Sequence, residues 1–211
     1  MPALSRSLRF SAVFVLAVLL AGCTATRLEP QRFEGRTIAA AAPYAPAPFV
    51  DHPLLAPRTR PARPPLLRGE QDNLEDLQER LRAAAKRVDV PARLAAALFH
   101  TAADELGARR TADARTADYV LDFRVHHYGL RLRSYRSQAR FFMEAEARLI
   151  ERATGEAIWA KRLRSSRTFA TGRTGADLGR LADAAFADLL ADLSSRAAER
   201  MQAALQNDVA P

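Results

Sequence analysis

The 211-residue chain carries 32 basic and 24 acidic side chains, a net charge of +8, and 48% hydrophobic residues with a single cysteine. One cysteine excludes an internal disulfide, and the chain is too long to be a miniprotein that depends on one. The basic excess is almost all arginine, with Lys86 and Lys161 the only lysines, and it accompanies abundant alanine, so a GC-rich coding bias accounts for the charge without a functional cause.

The first 22 residues have the layout of a secretory leader. Arg6 and Arg9 give a positive start, Phe10 to Leu20 is apolar apart from Ser11, and small residues follow. The apolar core is shorter than the roughly 20 residues a stable membrane span needs. Leu20-Ala21-Gly22-Cys23 resembles the lipobox of bacterial lipoproteins. That resemblance implies cleavage before Cys23, acylation of its sulfur and new amino group, palmitate-type chains, and a stable lipid anchor. An ordinary leader with an incidental cysteine is the alternative. A catalytic Cys23 would need a base in a formed pocket, and a tether follows it instead. Thr24 is not the acidic residue associated with inner-membrane retention, so the expected location is the outer membrane, facing the periplasm. Without the leader, 32 basic residues less two leave 30 against 24 acids, a balance of +6.

Residues 23–69 read as a proline-rich tether, because nine of the twelve prolines lie between Pro30 and Pro65. Such a segment holds no helix and no central strand. It extends as a spacer, or else Tyr44, Phe49, Val50, Leu54 and Leu55 pin it to the domain. Within it, 36–42 reads as a short first strand of poor strand formers. Residues 70–205 form the expected domain, and 206–211 a tail.

Helical periodicity starts at Asn73, with Asp72 or Asn73 as cap and Leu74, Leu77, Leu81, Ala84, Ala85 and Val88 on one stripe. Pro91 opens a second helix with Leu94, Leu98, Phe99, Ala102 and Leu106 inward, ended by Gly107. The period then changes to two. Tyr119, Leu121, Phe123 and Val125 alternate with Val120, Asp122, Arg124 and His126. A hairpin follows, Arg140 to Glu151 and Ala157 to Leu163, turning at Gly155. Thr174 and Asp177 form a capping box for one long final helix running past Met201. The expectation is an α+β two-layer domain: a mainly antiparallel, three- to four-stranded sheet with helices packed on one face.

Ala117-Asp-Tyr-Val-Leu-Asp122, followed by Thr154-Gly-Glu-Ala-Ile-Trp159, resembles a pattern of small bacterial envelope lipoproteins. It is similar to the periplasmic α/β domains of curli-secretion-type lipoproteins and of lipoprotein activators of peptidoglycan synthases. The pore-forming strands of the former have no counterpart here.

Chemistry is sparse. His126 and His127 are consecutive on a strand, which points them to opposite faces and prevents a shared metal. His100 has Asp104 four residues on, and His52 lies in the tether. Glu144 and Glu146 share a strand face, about 7 Å apart by strand rise, with Arg148 continuing the row as a solvated ladder. No nucleophile elbow, phosphate loop, zinc motif or redox pair occurs. No catalytic residue, metal or cofactor is expected, and the chain reads as a non-enzyme. Two acid-free basic stretches stand out, Tyr128 to Arg140 and Lys161 to Arg173. Arg131, Arg133, Arg136, Arg140, Arg164 and Arg167 are the expected partner- or anion-binding residues, at one end of the sheet if the strands pair as read. The overall reading is a lipid-anchored accessory or assembly module that binds another envelope protein. Its alternative is direct binding of lipopolysaccharide, peptidoglycan or phospholipid by the arginine loops. Nucleic acid is excluded by location.

Overall fold

A computed structural model describes residues 27–55, 68–164 and 168–209. The leader, Cys23 and Arg167 fall outside them. Two long strands dominate, β4 (Tyr119–Arg131) and β5 (Gln138–Glu151), antiparallel and in register from Tyr119↔Glu151 to Arg131↔Arg140. Each is flanked by a strand in two pieces. β1 (Thr37–Ala40) and β2 (Phe49–Asp51) run parallel to β4, at Ile38↔Tyr119 and Phe49↔Gly129. Between them Tyr44 bridges Arg124, so one extended segment follows β4 along most of its length. On the far side, β6 (Glu156–Leu163) and β7 (Thr168–Thr174) pair antiparallel with successive halves of β5. A two-residue β3 (Arg109–Arg110) completes a mixed seven-stranded sheet against β1. The α+β layering holds, while the sheet is larger and less purely antiparallel than the sequence suggested.

The reason lies in the proline-rich segment, which the sequence assigned to the tether. Leu28, Phe33, Ile38, Ala39, Val50 and Leu54 are all buried, so the folded domain begins well before residue 70. Prolines are compatible with this because the strands are short pieces and Pro43, Pro46 and Pro48 fall between them, where Tyr44 still bridges β4. Of the five residues considered as pins, Val50 and Leu54 are buried, Leu55 packs partly against the core, and Tyr44 and Phe49 stay exposed.

α1 (Arg68–Val88) starts ahead of the expected cap, so Asp72 and Asn73 lie inside it. α2 (Val90–Glu105) has Pro91 in its first turn and Asp89 as cap, accepting from the Ala92 N–H at 3.3 Å. The final helix is broken. The capping box of Thr174 and Asp177 opens a short α3 (Gly175–Arg180), Leu181 turns to extended backbone, and α4 (Asp183–Gln206) follows. The helices cover the sheet face carrying Leu121, Phe123, Val125, Phe141, Met143 and Leu149, and meet it with Leu74, Leu77, Leu81, Leu94, Leu98, Phe186 and Leu193. Each such large side chain contributes about 1.5–3 kcal/mol on burial. Among the described residues, no helix is long and apolar enough to cross a membrane.

Candidate functional site

With the helices on one side, the other face of the sheet is left to polar side chains. The alternation of β4 and β5 puts Asp122, Arg124, Glu144, Glu146 and Arg148 there. They pair off as the sequence suggested. Arg148 donates to Glu146 at 2.9 Å, Arg124 to Asp122 at 2.9 Å, and Arg162 of β6 reaches across to Glu144. The hydrogen bond from Arg162 holds the Glu144 carboxyl below the usual carboxylate range, with His127 and His126 adding to the effect. Arg148 does the same for Glu146, again with help from His126. Both carboxylates are thereby kept ionised, the reverse of what a general acid requires.

The histidines depart from expectation. A β-bulge between Val125 and His127 gives His126 no partner of its own on β5. An extra residue in one strand resets the alternation, so neighbours can share a face. His126 Nε2 lies 3.6 Å from Glu146, and the His127 ring stands edge-on to Phe49 with centroids 6.3 Å apart. Both histidines therefore sit over the polar face. Among the described residues, no group of three or more His, Cys, Asp and Glu gathers as a metal site.

Beyond the bulge the face becomes aromatic. Phe142 is buried on it, packed edge-on against Phe49 at 5.2 Å and capped by the Arg131 guanidinium 5.0 Å above its ring. Arg131 also donates from Nε to Asp51 at 2.6 Å. The close approach of Phe49 is possible because its partner is Gly129: a Cβ there would lie 1.8 Å from the Phe49 carbonyl oxygen. Phe49, Phe142, His127 and Arg131 thus form one patch. Phe49 and Tyr44 are the large hydrophobic residues exposed among the described residues.

The remaining basic residues separate. Arg133 and Arg136 are exposed on the loop between β4 and β5. That loop is ordered by Ser137 Oγ, which accepts from the backbone N–H groups of Arg133 and Ser134 at 3.1 and 3.0 Å. His52, which the sequence left in the tether, is 6% exposed and clasps the same loop. Its Nδ1 accepts from the Leu54 N–H at 3.1 Å, and its Nε2 is 3.0 Å from the Arg133 carbonyl oxygen. Those partners assign the proton to Nε2. Arg140 donates to Thr168 Oγ1 at 2.7 Å. Arg164 is elsewhere, at the break between β6 and β7 halfway along β5, in a cleft of about 450 Å³ with Lys161, Arg162 and Arg200. Lys161 is held by Asp208 at 2.9 Å, and Arg200 lies 4.2 Å over the Phe169 ring. Of the expected arginines that are described, Arg131, Arg133, Arg136 and Arg140 lie at the end of the β4–β5 hairpin and Arg164 lies halfway along β5.

No protein-family model matches the chain, and no curated protein matches it. Solved structures with a similar outline include a point-variant PelC dodecamer from Paraburkholderia phytofirmans, at 13% identity over 80% of this chain and 88% of that one, with a TM-score of 0.32. A Xanthomonas campestris protein described as DUF330 is 15% identical over 82% and 84%, at 0.36. Lipoprotein GNA1162 from Neisseria meningitidis is 15% identical over 74% and 99%, at 0.27. At such TM-scores the likeness assigns no function to the chain.

Proposed function

We propose that this protein is a lipid-anchored, non-enzymatic accessory module of a bacterial envelope, and that it binds another envelope protein through the uncovered face of its sheet. The observation that supports this is the patch of Phe49, Phe142, His127 and Arg131. Aromatic residues and arginine are the side chains enriched at the energetic centres of protein interfaces, and a polar rim around them excludes water. Here the rim is the ion-pair ladder of Glu144, Glu146, Arg148 and Arg162. The lipobox supplies the anchor at Cys23 and the location at the periplasmic face of the outer membrane. The test is an in vivo crosslinking pull-down of the wild-type chain against Phe49→Ala. One envelope protein recovered with wild type and lost with Phe49→Ala supports the reading. Equal recovery with both removes the patch as the interface.

A second reading has its own support. Arg133, Arg136 and Arg164 are exposed and, among the described residues, no acid pairs with their side chains. Such arginines suit bidentate binding of phosphate or carboxylate on an anionic envelope polymer. Contact of that kind weakens steeply with ionic strength, whereas a packed aromatic interface does not. Salt titration of the captured complex separates the two.

A further inference from the structure

Away from the polar face, a groove of about 830 Å³ opens between the proline segment, the second half of α1 and the start of α2. One wall is Ala45, Pro46, Ala47 and Pro48. It is tied to α1 by Gln78, which donates to the Pro48 carbonyl at 2.9 Å and accepts from the Val50 N–H at 2.7 Å. Ala83 and Ala85 of α1 and Pro91 of α2 continue the apolar lining. At the base lies Tyr128, 3% exposed. Tyr128 lines the groove, and among the described residues no protein group hydrogen-bonds its hydroxyl. The hydroxyl oxygen is not fully enclosed, so it can donate to an acceptor on a molecule in the groove. The rim carries the cations Arg82, Lys86 and Arg87 against the acids Glu79 and Asp89, so the balance is only weakly positive. Lys86 and Arg87 are exposed, and among the described residues neither meets an acid, while Arg82 is already paired with Glu79 at 2.6 Å. The junction between α1 and α2 that shapes this end turns at Asp89, in the left-handed region with φ 46°.

We propose that the groove holds one acyl chain of an acidic phospholipid: the chain against the proline and alanine walls, an ester oxygen accepting from the Tyr128 hydroxyl, and the phosphate at Lys86 and Arg87. The alternative occupant, an extended peptide, would need a row of backbone donors. The wall denies it one, because Pro46 and Pro48 have no N–H. Charge complementarity then selects an anion with an apolar tail over a neutral one.

The experiment is photo-crosslinking of the lipidated chain in nanodiscs of zwitterionic phosphatidylcholine, with a photoactivatable lysophosphatidylglycerol as probe. Crosslinks are expected on the segments 45–48 and 82–91. Lys86→Ala/Arg87→Ala should lower their yield about tenfold, the loss of charge-assisted hydrogen bonds. Tyr128→Phe should lower it about fivefold, the loss of a neutral hydrogen bond. A photoactivatable monoacylglycerol, with the same chain and no phosphate, should label the groove less, and Arg133→Ala/Arg136→Ala should leave labelling unchanged. Labelling confined to the polar sheet face, equal labelling by the uncharged probe, or groove labelling that survives both variants would each overturn the proposal. Failure here leaves the aromatic patch untouched, since Phe49→Ala is read out by partner recovery alone.

Discussion

Gly129 sits where two chain segments come closest. A methyl group at that position would overlap the backbone of Phe49, which no side-chain rotation relieves. Gly129→Ala must therefore push β2 off β4, and forced overpacking of this kind costs about 3 kcal/mol. Thermal denaturation should show a lowered Tm for Gly129→Ala, and an unchanged Tm would place β2 elsewhere. Tyr128 makes a second residue-scale statement. Burial pushes its phenol up to about 12, with Asp89 adding to the effect. A phenol raised from its ordinary value of 10 stabilises the fold fully below pH 10, and that contribution is lost as pH rises through about 12. In a spectrophotometric titration of phenolate, the step near pH 12 should be absent from Tyr128→Phe. His52 acts on the loop rather than on a ligand. Replacing it with alanine strips partners from the Leu54 N–H and the Arg133 carbonyl, at a cost of about 1–3 kcal/mol, and hydrogen exchange should accelerate in residues 132–137 while β5 and β6 stay protected.

At the scale of elements, the docking of β1 depends on one carboxylate. Asp118 Oδ2 accepts from both the backbone N–H and the hydroxyl of Thr37, each at 2.8 Å, and the Thr37 hydroxyl accepts from the Asp118 N–H at 3.0 Å. The Thr37 backbone and hydroxyl hold the Asp118 carboxyl below its ordinary value of 3.8, with Arg36 assisting. A lowered carboxyl stabilises above its unfolded value and loses that contribution as pH falls through the folded one. Protection of β1 amides should therefore fade below about pH 4, and Asp118→Asn should remove that acid dependence. The same elements mark what could be read in advance. The strand at Tyr119, the hairpin at Gly155 and the Thr174 capping box were legible because each carries its signal within a few consecutive residues. β1 was legible as the short strand at 36–42 despite its poor strand formers, whereas β2 was not, since a three-residue piece flanked by prolines is too short to show a period. The shared face of His126 and His127 depends on a bulge set by pairing, not by local sequence. The Tyr128 groove draws on residues 45–48, 79–91 and 128, which proximity in sequence never joins.

At the scale of the whole molecule, the first and last described segments meet. Leu28 bridges Val209, its N–H donating to the Asp208 carbonyl at 2.9 Å, and the Asp208 carboxylate accepts from Trp159 Nε1 at 3.0 Å and from Lys161. The segment from residue 27 to 55 is thus not a leash outside the domain but one flank of its sheet. Removing it would uncover β4 along one edge and withdraw Leu28, Phe33, Ile38, Val50 and Leu54 from the core. At about 1.5–3 kcal/mol for each buried side chain, that loss rivals the roughly 5–15 kcal/mol by which a domain is stable at all. A chain beginning at residue 68 should therefore melt without a cooperative transition, while one beginning at residue 27 should unfold in a single step. Cooperative unfolding of the shorter chain would return this segment to the role of spacer. It would also remove the proline wall of the groove and the Phe49 of the patch from the folded body, so this truncation is the measurement on which both binding surfaces jointly depend.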